Sequence, residues 1–363
     1  MSNARKLADN LPTEGPLTGR NMLINGDMSI AQREVTSYAV GDGHGYKNVD
    51  RWKVFADNMA GRATLQQSTD APSGFTNSLK FSCTTADTSI ASNESFGIAQ
   101  HIEAGTCART GTGTSDAKQI TFSFYAKADS TKTYVVQLLN NKHSSYIHNN
   151  RTFTVTSSWQ RFTMTFQADT TADSEFDGTL TDAGFSLSFY LHAGSNFTSA
   201  TLASDWATGT TNRAAGTQSF FSSTNNRFYL TGCQLEVGQA TPFEHEPFEA
   251  SLRKCQRYYL RSKNQAYASF FGGVGWANTT SSWIGKGQIP VPMRTAPTLV
   301  YTGTARVQNG QAGYNLTSFS ASLINTHSTT LSMGAGASGL TLYRAHDVDA
   351  GASTAVMQLD AEL

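Results

Sequence analysis

Flat aromatic side chains beside amides and a histidine are the residues of this sequence best suited to chemistry. One loop contains Asn141, His143 and Tyr146, and a later glycine-rich stretch contains Trp276 and Trp283. Aromatic faces with a few convergent polar groups are typical of concave binding sites. A site that binds sugar needs both the aromatic faces and the polar groups. We therefore predict glycan-binding residues at these five positions. For the two tryptophans a second interpretation stays open, because aromatic side chains also fill subunit interfaces.

Catalytic groups are harder to find in this sequence. It contains no G-x-S-x-G, H-E-x-x-H, Walker or dinucleotide-binding pattern. Glu244, Glu246 and Glu249 could supply the two carboxylates that a glycosidase needs. The start of a helix favours acidic residues in the same positions, however. We predict no catalytic residue and no enzyme activity, with a polysaccharide-degrading enzyme as the alternative.

Hard oxygen ligands are grouped in one loop, which contains Asp169, Asp173, Asp177 and Asp182. Such a group could hold calcium, but the spacing differs from that of an EF-hand. Aspartate is also a common turn residue. We predict no cofactor and no metal ligand, with a structural calcium ion as the alternative.

Composition limits the partners. The 27 basic and 27 acidic residues give a formal net charge of zero, so no global basic field attracts nucleic acid. No apolar run reaches membrane-spanning length, so we predict no membrane insertion. The four cysteines form no C-x-x-C pair, and we expect reduced thiols in the core of a protein made in a cytoplasm.

The elements that must position these residues are short strands. Phe185, Leu187 and Phe189 alternate with polar residues, and the same period recurs along much of the chain. Between Asn21 and Pro247 no helical period appears, and a short helix begins at Pro247. Many strands with one apolar face predict an all-β fold, a two-sheet jelly-roll sandwich. The expected divisions are an N-terminal helical segment, the jelly roll, a linking helix and a smaller C-terminal β-domain, at 1–20, 21–246, 247–262 and 263–363.

Several short motifs point to a family. They are NMLINGDM at 21–28, AQR at 31–33, DRW at 50–52, QLEVG at 234–238, ATPF at 240–243, CQRYY at 255–259 and PVPMRTAP at 290–297. Together they resemble virion structural proteins of tailed bacteriophages, of the tail-fibre or receptor-binding type found in marine podophages. The motifs at 21–28, 31–33 and 50–52 look like the start of a jelly roll similar to carbohydrate-binding modules. The motifs at 234–238 and 240–243 look like its end. No catalytic residue carries over from this resemblance.

The resemblance implies a tail fibre or spike that recognises a glycan on the host cell surface. Residues 1–20 would attach the chain to other virion proteins, and the protein would be made in the host cytoplasm and located in the virion, in the tail rather than the head. A ten-residue helix is marginal alone, and the C-terminal domain has little apolar bulk, so we expect a homotrimer. A purely structural role, such as head decoration, stays open beside it.

Overall fold

The computed structural model of the protein describes residues 18–176, 179–262, 265–310, 312–323, 328–351 and 355–363. The chain divides into two compact units, Met1–Phe248 and Glu249–Leu363. The expected N-terminal helix falls on residues 1–17, which lie outside the described residues.

Two antiparallel sheets of six strands each form the first unit. Its strands are β1 (Tyr38–Val40), β2 (Gly45–Tyr46), β3 (Lys53–Asp57), β4 (Arg62–Ser68), β5 (Ser78–Thr85), β6 (Ser95–Glu103), β7 (Ile120–Ala128), β8 (Lys132–Asn140), β9 (His148–Val155), β10 (Gln160–Phe166), β11 (Ala183–Ala193) and β12 (Arg227–Val237). The helical turns α1 (Ala104–Cys107) and α2 (Ser195–Thr198) lie between them, with 3-10 turns at Ala108–Thr110 and Phe220–Ser222.

Sheet one has the order β1-β4-β5-β12-β7-β10, and sheet two has the order β2-β3-β6-β11-β8-β9. Most consecutive strands from β5 onwards therefore cross from one sheet to the other. This arrangement confirms the predicted all-β jelly-roll sandwich.

The core of this unit lies between the two sheets. Phe122 on β7 and Phe189 on β11 pack with ring centroids 5.7 Å apart, and Phe81 on β5 and Phe96 on β6 pack at 4.9 Å. Each buried aromatic side chain contributes about 1.5–3 kcal/mol through removal from water. The residues of β11 that point into the core include Phe185, Leu187 and Phe189, whose alternation with polar residues was visible in the sequence.

The motifs at the two ends of the jelly roll meet in space. The Asn21 side chain accepts hydrogen bonds from the backbone N–H groups of Leu23 and Leu235, at 3.0 and 3.1 Å, and donates to the carbonyl of Cys233 at 3.0 Å. The buried carboxylate of Glu236 accepts from the backbone N–H and the hydroxyl of Thr241, at 2.9 and 2.7 Å. The Asn21 hydrogen bonds hold the first residues of the sandwich against its last strand, and the Glu236 hydrogen bonds hold the turn that follows this strand.

Glu244 belongs to the same closure and corrects an expectation from the sequence. Its two carboxylate oxygens accept hydrogen bonds from the backbone N–H groups of Gly19, Arg20 and Asn21, at 2.7, 2.9 and 3.2 Å. Glu244 thus stabilises the start of the sandwich through these three backbone N–H groups.

The cysteines behave as predicted. Cys83, Cys107, Cys233 and Cys255 are buried and free. The Sγ of Cys107 accepts a hydrogen bond from the backbone N–H of Phe185 at 3.3 Å. Burial raises the pKa of the Cys107 thiol to about 12.

The helix α3 (Phe248–Gln256) starts at the last residue of the first unit, directly after Pro247. No helix in the described part of the chain is long and apolar enough to cross a membrane. The second unit contains β13 (Tyr259–Arg261), β14 (Ser269–Thr279), β15 (Ser282–Gln288), β16 (Thr298–Thr302), β17 (Ala305–Gln308), β18 (Gly313–Asn315), β19 (Ser318–Leu323), β20 (Thr330–Gly336), β21 (Ala345–Ala350) and β22 (Val356–Asp360).

These strands form a three-stranded sheet, β13-β22-β16, and a seven-stranded sheet, β18-β17-β21-β14-β15-β20-β19. The unit has its own buried cluster, which includes Trp283, Leu331, Met333 and Val348.

Candidate functional site

A cleft of about 320 Å³ lies on the face of sheet two that points away from the sandwich core. Its lining comes from β3, β6, β11 and β8, which are neighbours in that order. His44 before β3, Asn141 after β8, and Phe197 and Arg213 after β11 complete it. The inward residues of the four strands build the core, so their outward residues are the ones available to a ligand.

One row across the sheet forms an aromatic wall. Phe55 on β3 and Tyr190 on β11 both pair with Gly97 on β6. Their rings meet with centroids 5.1 Å apart and an interplanar angle of 63°. A Cβ on Gly97 would lie 1.8 Å from the carbonyl oxygen of Phe189 and 2.6 Å from the Phe55 ring. The contact between the two rings therefore requires glycine in the middle of the row.

The next row forms the floor of the cleft. Ala99 pairs with Ser188, and both are buried. Lys53 on β3 and Gln137 on β8 stand at the two ends of this row. Because Ala99 and Ser188 have short side chains between longer neighbours, the middle of the sheet face stays open.

A polar row follows. His101 on β6 pairs with Ser186 on β11, and the Nδ1 of His101 lies 2.5 Å from the Ser186 hydroxyl. The Asn141 side chain donates to that hydroxyl at 2.8 Å and to the carbonyl of Gly184 at 2.9 Å. Burial, together with the nearby charges of Lys53 and Arg51, lowers the pKa of His101 to about 3. The imidazole is therefore neutral at physiological pH and offers one donor and one acceptor.

The rim beside the aromatic wall carries charge. The Asp57 carboxylate accepts a hydrogen bond from the Ser95 hydroxyl at 2.8 Å and lies 2.8 Å from the Nε2 of His44. Burial raises the pKa of Tyr190, while the charge of Arg213 and a hydrogen bond with it act in the opposite direction. The guanidinium of Arg213 hydrogen-bonds Tyr190, and its Nε is buried and has no hydrogen-bond partner within the described protein.

The structure separates the three candidates predicted from the loop after β8. Asn141 lines the cleft. His143 accepts a hydrogen bond from the backbone N–H of Ser145 at 3.1 Å, and its carbonyl accepts from Tyr146 at 2.9 Å. Tyr146 is 55% exposed in a left-handed turn conformation, with φ of 50°. His143 and Tyr146 shape the loop, and neither is among the described residues that line the cleft.

The two predicted tryptophans lie on opposite faces of one hairpin. Trp276 pairs with Ile284 and is 48% exposed, whereas Trp283 pairs with Ala277 and is fully buried. The Nε1 of Trp283 donates to the carbonyl of His346 at 3.3 Å, and its ring lies over Gly285. Trp283 is thus a core residue with no face open to a sugar, which corrects its place among the glycan-binding candidates.

Sequence reasoning missed Phe55, Tyr190, His101 and Arg213. One signal was present, because the outward residues of β11 are Ser186, Ser188 and Tyr190, a polar set that ends in an aromatic ring. Alternation assigns this face but does not say which strands lie beside it. The pairing of β11 with β6 and β8 creates the cleft.

The aspartate loop was the predicted alternative site for calcium. Asp169 is buried and accepts from the backbone N–H of Thr171 at 3.0 Å. Asp182 lies 3.3 Å from the Nζ of Lys142, and Asp173 adopts a turn conformation with φ of 63°. Asp177 lies outside the described residues. The other three form no group of close metal ligands, and calcium at this loop stays a prediction.

No protein-family model matches the sequence, and no curated protein matches it. Solved structures do show similarity. A CBM4 structure is 14% identical, covering 59% of this chain and 97% of its own, with a TM-score of 0.28. A family 11 carbohydrate-binding module from Clostridium thermocellum, in complex with a β-1,3-1,4-mixed-linked tetrasaccharide, is 14% identical over 57% of this chain and 98% of its own, with a TM-score of 0.28.

The enzymatically active domain of tailspike protein 4 from bacteriophage CBA120 is 10% identical and has a TM-score of 0.31. That match covers 60% of this chain and 21% of the tailspike chain. At these identities and TM-scores, the function of the chain has to be argued from its own residues.

Proposed function

We propose that the protein binds a carbohydrate chain in the cleft on the outer face of sheet two. The observation that carries this proposal is the aromatic wall of Phe55 and Tyr190 beside an open floor of short side chains. A sugar ring has an apolar C–H face and a rim of hydroxyl groups. The aromatic wall offers an apolar surface to the C–H face of the sugar. The polar rows offer hydrogen-bonding groups to its hydroxyl rim.

The polar groups around the floor suit hydroxyl recognition. The Gln137 amide can donate and accept, neutral His101 has its Nε2 besides the Nδ1 that faces Ser186, and the Arg213 guanidinium lies beside Tyr190. The volume of about 320 Å³ is at the lower end of ordinary ligand sites. We therefore infer recognition of a short stretch of sugar within a longer chain.

Binding without cleavage is part of the proposal. Asp57 is the one carboxylate among the described residues that line the cleft. It is held by Ser95 and His44 at the rim. Glycoside hydrolysis commonly uses two carboxyl groups on either side of the scissile bond, and Glu244 is occupied by backbone N–H groups elsewhere.

The biological setting that we propose is the virion of a tailed phage, with the chain as a tail fibre or spike that recognises host surface glycan. Its support is the set of sequence motifs, several of which form the network around Asn21 and Glu236 that closes the sandwich. In this proposal residues 1–20 attach the chain to other virion proteins and the assembly is a homotrimer.

One observation favours a second candidate, a purely structural virion protein. Val274, Trp276 and Ile284 are exposed together on one face of the β14–β15 hairpin, where Trp276 pairs with Ile284. Adjacent exposed apolar residues are typical of protein contact surfaces.

Competition for adsorption separates the two candidates. Purified full-length protein is added to host cells before the phage, and phage attachment is counted. A receptor-binding protein reduces attachment in proportion to its concentration, and soluble host glycan reverses the effect. A protein that leaves attachment unchanged while it binds to the particle is structural, and the proposal of glycan recognition fails.

A further inference from the structure

A second cluster of polar side chains lies apart from the cleft lining. Asp87, in the loop between β5 and β6, Glu94, at the end of that loop, and His192, near the end of β11, each place one potential ligand atom within 4.8 Å of the other two. Their exposed fractions are 6%, 2% and 0%. Among the described residues this is the one such group of three.

One atom of this cluster has no hydrogen-bond partner among the described residues. The Oδ1 of Asp87 accepts a hydrogen bond from the backbone N–H of Ser89 at 3.0 Å, but its buried Oδ2 accepts none. Neither Asp87 nor Glu94 is paired with Lys or Arg in the part of the chain that the structure describes. Two buried carboxylates with one histidine and no Lys or Arg beside them are costly unless a cation compensates them.

We propose that Asp87, Glu94 and His192 bind a divalent cation of the zinc class. Calcium takes six to eight oxygen ligands, and an imidazole nitrogen does not belong to that set. Zinc accepts histidine nitrogen and carboxylate oxygen together, with four ligands in total. Three protein ligands and one further position, filled by water, match that coordination number.

The surroundings of His192 hold its ring in position for this role. Its Nε2 lies 3.0 Å from the Oε2 of Glu94, and its Nδ1 lies 2.8 Å from the hydroxyl of Ser219. With the proton on Nδ1 and donated to Ser219, the lone pair of Nε2 is free for a metal. Ligating histidines are commonly oriented by such a hydrogen bond from the second ring nitrogen.

The backbone around the cluster is packed closely enough to keep the ligands together. The N–H of Asp87 donates to the carbonyl of Phe221 at 2.8 Å, and the N–H of Gly194 donates to the carbonyl of Glu94 at 2.8 Å. A Cβ on Gly194 would lie 2.0 Å from the carbonyl oxygen of Ala91. A bound cation would therefore cross-link the β5–β6 loop to β11, as a structural site.

The test is metal binding by the full, tag-free chain after treatment with a chelator and its removal. Titration calorimetry with zinc chloride is expected to show one ion per chain, and the melting temperature should rise with zinc. A parallel titration with calcium chloride should show no binding that depends on these residues. The near-isosteric variants Asp87→Asn and Glu94→Gln should bind zinc at least tenfold more weakly.

A matched control is Asp169→Asn, which alters another buried aspartate with an unpartnered oxygen that belongs to no ligand group. This variant should keep the zinc affinity of the unaltered protein. If the unaltered protein binds no zinc, or if both cluster variants bind it as tightly as the control, the assignment is overturned. If calcium binds through the same residues, the choice of metal is overturned. Should a cluster variant not fold, the zinc stoichiometry of the unaltered protein decides whether the chain has the site: one ion per chain supports the assignment and none overturns it.

Discussion

Phe55 and Tyr190 meet edge to face above Gly97, with ring centroids 5.1 Å apart. The three residues lie on three neighbouring strands and share one row of the sheet. Their contact ties the shape of the cleft to the register of the strands. Any change that shifts β6 against β3 or β11 would separate the rings and close or distort the floor beside them.

Gly97→Ala should destabilise the first unit strongly. The added Cβ would collide with the backbone of Phe189 and with the Phe55 ring, and overpacking of this kind costs about 1–3 kcal/mol or more. Gly41→Ala is the control, since a Cβ there meets nothing closer than the Arg62 side chain at 3.5 Å. Chemical denaturation of both variants measures the difference. Equal, small changes in the free energy of unfolding would show that the row can relax around a methyl group.

The two tryptophans of the β14–β15 hairpin should differ in their effect on stability. Trp283→Ala removes a fully buried ring and should cost about 3–5 kcal/mol. Trp276→Ala removes a half-exposed ring and should change the free energy of unfolding by about 0.5 kcal/mol or less. The comparison is made by urea denaturation of the full chain. Similar losses for both would mean that Trp276 is covered in the assembled protein.

The thiols should be unreactive in the folded protein. Burial raises the pKa values of Cys83, Cys107 and Cys233, and the thiolate is the reactive form. Ellman's reagent at pH 8 should therefore titrate no thiol rapidly in the native state and four after denaturation. Rapid reaction of even one thiol in the native protein would contradict the burial.

Stability should fall as the pH is lowered from about 6.5 towards 3. In the folded protein His101 stays neutral down to a pKa of about 3, whereas in the unfolded chain it takes up a proton near its ordinary value of 6.5. Between these values the unfolded state binds more protons, so lower pH favours unfolding. The variant His101→Gln should show a shallower decline of melting temperature over this range. An unchanged decline of melting temperature in His101→Gln would show that groups other than His101 cause the loss of stability at low pH.

Alternation of apolar residues was enough to predict the sandwich, because each strand such as β11 carries its buried face in its own sequence. It was not enough to predict the cleft, since Phe55, His101 and Tyr190 become neighbours only through strand pairing across long sequence separations. The aromatic candidates predicted from the sequence were Tyr146, Trp276 and Trp283, and none of them lines the cleft. The outward faces of β3 and β11 supply the aromatic wall instead.

The glycine-rich stretch around Trp276 was misleading for a physical reason. Glycine weakens strand propensity, so the glycine-rich sequence does not by itself indicate the hairpin of β14 and β15. In a hairpin, residues at odd and even positions point to opposite faces, which places Trp283 in the core and Trp276 outside. Glu244 likewise acts through the backbone of residues 19–21, a partnership that no local pattern shows.

Glycan recognition in the cleft is tested by binding of the full chain to a panel of immobilised glycans, repeated with two single variants. Arg213→Ala removes the guanidinium that lines the cleft beside Tyr190, and Trp276→Ala removes the exposed ring of the second unit. One class of glycan should bind. Arg213→Ala should weaken binding tenfold or more, as loss of a binding hot spot does, and Trp276→Ala should bind as the unaltered protein does. Undiminished binding by a folded Arg213→Ala protein, together with loss of binding in Trp276→Ala, would place the glycan site in the second unit and contradict glycan recognition in the cleft.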